Sequence, residues 1–188
     1  MSPTHQRFEQ TLAWHCAPSL AGIKAADMVA WAPNPQDWPR LLGHYAPLLA
    51  RRGIRLKVLG PYRSRTLLLV YRPQRLNEWL AQPQVAHMLA RAGYPVEQGT
   101  GAMLAHLRGR IQGAEFPHEI GLFLGYPPAD VEGFLRDGGR GCKLSGAWKV
   151  YHDVEGAARR FASFHRCRDA LTLRLEQGLT LAQVFPAS

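Results

Sequence analysis

The chain has 188 residues, 46% hydrophobic and 20% charged, with 23 Lys and Arg against 14 Asp and Glu for a formal charge of +9. This length and apolar content suit one globular domain, expected over 1–188, and exclude a chain held open by its own charge. The basic surplus points to an acidic partner, such as nucleic acid or an acidic or carrier-bound acyl substrate, although arginines scattered through every segment also fit a chain that simply prefers arginine.

In chain order, residues 5–15 read as a short helix. Cys16 follows, and Pro18 suits a first helical turn, so the pattern puts Cys16 at the N-terminus of a new helix. Residues 28–32 read as a strand ended by Pro33-Asn34-Pro35. Residues 37–52 read as an amphipathic helix with Trp38, Leu41, Leu42, Tyr45, Leu48 and Leu49 on one side. Residues 54–59 alternate as a half-buried strand, and Arg65 to Tyr71 is apolar enough for the middle of a sheet. Helices are expected over 74–92 and 99–112. His118 to Tyr126 fits a strand or a helix, and Ala129 to Arg136 fits a helix. Ala147 to His152 alternates as a strand. Asp153 then caps a long helix over 154–177 that turns Phe161, Phe164, Leu171 and Leu175 inward. The expected class is α/β or α+β, with a small mixed sheet of about four to five strands packed with helices.

The start of the chain lacks the basic-then-apolar order of a secretory signal, and no apolar run approaches the roughly 20 residues of a membrane span. A cytoplasmic protein without membrane association is expected. Cys16, Cys142 and Cys167 are odd in number and far apart, which argues against a disulfide framework and a structural zinc site. His165 and Cys167 would stand two apart on a helix and not share a face. No metal and no cofactor are expected.

Several segments in order carry a resemblance. They are His15-Cys16-Ala17-Pro18-Ser19-Leu20-Ala21-Gly22-Ile23-Lys24, Leu69-Val70-Tyr71-Arg72-Pro73, Ala92-Gly93-Tyr94-Pro95, Phe116-Pro117-His118-Glu119-Ile120-Gly121-Leu122-Phe123-Leu124-Gly125-Tyr126-Pro127 and Trp148-Lys149-Val150-Tyr151. Together they resemble a bacterial family of unknown function across almost the entire chain. That resemblance implies kinship and no settled activity. From these segments His15, Lys24, Tyr71, Arg72, Tyr126, Trp148 and Lys149 are taken as candidate substrate-binding residues.

A thiol at a helix N-terminus, with an imidazole nearby, becomes a nucleophile. Cys16 and His118 are the candidates, with Glu119, Asp130 or Asp153 to orient the imidazole. The order of Cys and then His is similar to papain-like cysteine peptidases and acyltransferases, and the segment from His118 to Gly125 looks like the histidine strand of bacterial cell-wall cysteine peptidases. No Asn follows His118, which departs from the papain triad. The chemistry expected is acyl transfer through a thioester, ending in hydrolysis or amide formation. Two alternatives stand beside it. One is a DNA-binding protein with a helix-turn-helix over 118–136, although Asp130 and Glu132 on the second helix would repel phosphates. The other is a binding or regulatory protein with no chemistry of its own.

Overall fold

The computed structural model describes residues 2–31, 37–113 and 115–185. It begins with α1 (Pro3–Leu20), where Pro3 sits in the first turn and the Ser2 hydroxyl accepts from the His5 N–H. The helix runs straight through the expected break. Pro18 lies inside its last turn, so Cys16 is an interior helical residue and not an N-terminal one. Proline removes one helical hydrogen bond there. Three side-chain bonds to the same turn offset the loss. Asp27 accepts from the Ser19 N–H at 3.0 Å, and the Arg72 guanidinium donates to the Ser19 and Leu20 carbonyls at 2.8 and 2.6 Å. A cation placed there also faces the negative end of the helix dipole.

Strands β1 (Ala26–Trp31), β2 (Arg55–Tyr62) and β3 (Arg65–Tyr71) form an antiparallel sheet in the order β1-β3-β2. Leu67, Leu68, Leu69 and Val70 of β3 are all buried, as an apolar run without alternation requires when both faces are covered. Successive side chains of a strand point to opposite faces. Val29, Leu68 and Val70 therefore meet α1 and α2 (Asp37–Ala50), while Leu67 and Leu69 meet the helices that follow β3. The segment Pro33-Asn34-Pro35, expected to end β1, lies outside the described residues.

The expected helix over 74–92 is two helices, α3 (Pro73–Leu80) and α4 (Pro83–Arg91). Pro83 forces Gln82 to ψ 133°, out of the helical region, because a proline ring crowds the residue before it. Next come α5 (Gly99–Ile111), the four-residue α6 (Ile120–Phe123) and α7 (Pro128–Asp137). The segment from His118 to Tyr126 thus holds one helical turn, not a strand. The expected strand over 147–152 is instead one arm of a small hairpin, β4 (Leu144–Ser145) with β5 (Lys149–Val150). α8 (Val154–Glu176) follows, with the Asp153 carboxylate accepting from the Gly156 N–H at 2.9 Å, and then α9 (Leu181–Val184). The class is α+β. The strands pair antiparallel in sheets of three and two, where one mixed sheet was expected.

Trp148, Val150, Ala157 and Phe161 form a small core of their own, joining the hairpin to the first turns of α8. α8 then continues along α1, adding Leu171 to the core on that side. The hairpin, α8 and the end of α1 thereby surround the outer edge of β1, which is an edge strand of its sheet.

Candidate functional site

Cys16 and His118 are not brought together. Cys16 is 0% exposed, in the core between α1, α2 and the sheet with Val29, Leu68 and Val70. Burial pushes its thiol well above the ordinary range, and the charge of Asp27 adds to that. His118 is exposed and belongs to the other side of the sheet, where its ring packs on Phe116 and Phe134 with centroids 5.5 and 5.0 Å apart. It borders an apolar cleft of about 340 Å³ with Met28, Leu124 and Val131. The geometry expected of a thiolate–imidazole pair is absent from this arrangement.

The three candidate orienting carboxylates are structural ties. Glu119, 5% exposed, accepts from the Tyr94 hydroxyl at 2.8 Å and pairs with Arg110 at 3.0 Å, joining α5 to the start of α6. Desolvation, then this hydrogen bond, raises the Tyr94 phenol. Asp130, 3% exposed, accepts from Trp148 Nε1 at 2.8 Å and from the Tyr151 and His152 N–H groups at 2.8 and 3.1 Å. It therefore fastens α7 to the hairpin. Asp153 caps α8. Of the helix-turn-helix expected over 118–136, the first helix is only the single turn α6 and the second is α7. All four residues of α6 are buried, and α7 turns Asp130, Val131 and Gly133 inward. A Cβ on Gly133 would lie 2.7 Å from the Tyr151 ring, so that face of α7 is packed closely against the hairpin, while Glu132, Leu135 and Arg136 are exposed on the other.

Of the candidate substrate-binding residues, Arg72 and Lys149 are also occupied within the fold. Arg72 holds the end of α1, and it donates further to the Arg52 carbonyl at 3.1 Å. Lys149 donates to the Ser145 hydroxyl across the hairpin at 2.9 Å. Tyr71 is half-buried at the end of β3, and desolvation raises its phenol. Trp148 is buried, stacked on Tyr126 with centroids 5.2 Å apart.

His15, Lys24 and Tyr126 do converge. They line a cleft of about 430 Å³ beyond the edge of β1, between the end of α1, the hairpin and α8. Lys24 is nearly buried at its floor. Its ammonium donates to Asp27 Oδ1 at 2.5 Å and lies 5.2 Å from the Tyr126 centroid and 5.7 Å from that of Phe164. Rings placed this way stabilise a desolvated cation. α8 adds His165 and Arg168, and the Arg168 guanidinium covers the Trp14 ring at 4.6 Å. Asp27 is the one carboxylate in the wall, and both of its oxygens are engaged, one by Lys24 and one by the Ser19 N–H. Arg168 pairs only loosely with a carboxylate outside the wall, its Nε 3.9 Å from the exposed Asp169, so positive charge is left in the cleft. His15 registers it: burial lowers its pKa most, followed by the fields of Arg168 and Arg65, with Asp27 opposing. Phe164, His165 and Arg168 escaped the sequence reading because α8 read as an inward apolar stripe with arginines between. The signal was the four-residue spacing of Phe164 and Arg168, which puts a ring and a cation on one stripe.

Among the described residues no group of three or more His, Cys, Asp or Glu side chains is placed to hold a metal ion. Nor is any helix of these residues long and apolar enough to cross a membrane. The family model described as "Protein of unknown function (DUF3793)" matches residues 12–185, and the chain belongs to that family. No curated protein and no solved structure matches the chain, so the papain-like similarity finds no support.

Proposed function

We propose that this member of the family is a binding protein, taking an organic anion with an apolar or aromatic body into the cleft between Lys24 and Arg168. One observation carries the reading. Lys24, His15, His165 and Arg168 come from three separate parts of the chain to one cleft, whose single carboxylate is already neutralised. The Lys24 ammonium and the Arg168 guanidinium, held beside low-dielectric walls, raise the local concentration of anions and strengthen their hold, and the two imidazoles add hydrogen-bond donors. Tyr126, Phe161 and Phe164 supply flat apolar surface beside those charges, and the cleft falls in the usual size range of small-molecule sites. A carrier-bound acyl group, the substrate class expected from the sequence, is one molecule of this description. Cys16 takes no part, because its thiol is enclosed in the core.

Titration calorimetry with biphenyl-4-sulfonate, set against the uncharged biphenyl-4-methanol, tests the reading. The sulfonate is expected to bind, and the paired substitution His165→Ala and Arg168→Ala to weaken it by about tenfold or more. These two residues are chosen over Lys24, whose loss would leave the buried Asp27 carboxylate without its counter-ion. Equal affinity for the neutral compound, or an unchanged affinity in the paired variant, would contradict the proposal.

A further inference from the structure

A second cleft, of about 720 Å³, adjoins the first across Lys24 and Phe164, which line both. It is also positive. Arg75 of α3 and Arg160 of α8 face it, and neither forms an ion pair among the described residues. Its one carboxylate, Glu78, accepts from Gln74 Nε2 at 3.2 Å. Trp79 and Trp148 contribute aromatic surface. Trp79 is fixed in place, since its indole N–H donates to the Leu122 carbonyl at 2.7 Å.

α8 ties the two clefts together. Arg160, Phe164 and Arg168 stand at positions i, i+4 and i+8, one stripe of a helix. At the helical rise the two arginines are roughly 12 Å apart along the axis, with the phenyl ring midway. Arg168 faces the first cleft, Arg160 the second, and Phe164 both. The wall therefore reads cation, ring, cation.

We propose that the two clefts form one elongated site, whose ligand carries two anionic groups separated by a flat apolar body. His165 and Arg168 hold the first group, Phe164 faces the body, and Arg160 and Arg75 hold the second. This rests on the anion reading of the first cleft and extends it to the class of molecule bound. A single anion leaves Arg160 and Arg75 unused, whereas a two-ended anion meets positive charge at both ends.

The test compares biphenyl-4-sulfonate with biphenyl-4,4′-disulfonate, titrated into the full chain at one fixed ionic strength. The disulfonate is expected to bind about tenfold tighter or better. The paired substitution Arg75→Ala and Arg160→Ala is expected to bring it down to the affinity of the monosulfonate and to leave the monosulfonate unchanged. Both side chains are exposed, so the fold tolerates their removal. Equal affinities for the two probes, or a difference that survives the paired variant, would overturn the elongated site and leave the single-anion reading standing. Failure of both probes to bind would overturn the two readings together.

Discussion

His15 shows at one residue what the cleft does to charge. Burial, Arg168 and Arg65 disfavour its protonated form, so the folded chain binds this proton less well than the unfolded chain does. The unfolded state then holds more protons through the mildly acidic range, and stability rises with pH there. The contribution of His15 is complete above the ordinary histidine pKa and is lost as pH falls through the lower folded value. Urea midpoints are expected to decline from about pH 7.5 to about pH 5, and His15→Gln to remove part of that slope. A slope identical in the variant would contradict the assigned cause. A bound anion acts the other way, because it favours the protonated ring, so anion affinity is expected to strengthen over the same descent. At Cys16 the sequence misled at this same scale. Proline is common in a first helical turn, and nothing local revealed that Asp27 and Arg72 would hold Pro18 in a last one.

Several elements in this fold are fastened to one another by buried carboxylates. Asp130 is the clearest case, since it binds α7 to a hairpin whose own strands have two residues each. Asp130→Asn keeps an oxygen for the Tyr151 and His152 N–H groups but turns an amide N–H₂ toward Trp148 Nε1, donor against donor. The variant is expected to lose about 3 kcal/mol of unfolding free energy by urea titration. A loss below about 0.5 kcal/mol would show that Asp130 is not a fastening point. Helices and strands with strong periodicity were legible in the sequence. β3 was bounded correctly at Arg65–Tyr71, and α5 and α8 were bounded within a residue. Segments decided by distant partners were not. The stretch from His118 to Tyr126 carries both strand and helix patterns, and its single turn is set by Trp79 on the Leu122 carbonyl and by close packing of Gly121 on Tyr126 and Val131.

Across the whole molecule, the sheet divides the motif residues that the sequence linked. Cys16 lies in the core on one face and His118 above the other, so order along the chain gave no guide to proximity. His15, Lys24 and Tyr126 come from three separate points of two motifs, and they meet because α1, the loop before β1 and the α6–α7 connection all end at the same sheet edge. The residues that complete the site, Phe164, His165 and Arg168, are on α8, whose contact with α1 no local pattern announces. The apolar cleft beside His118 is the direct rival of this site. Titration of the isotope-labelled chain with biphenyl-4-sulfonate, followed by NMR shift mapping, separates the two. Shifts centred on His15, Lys24, Tyr126, Phe164, His165 and Arg168 are the result predicted here, and shifts centred on Phe116, His118 and Phe134, or none at all, would contradict it.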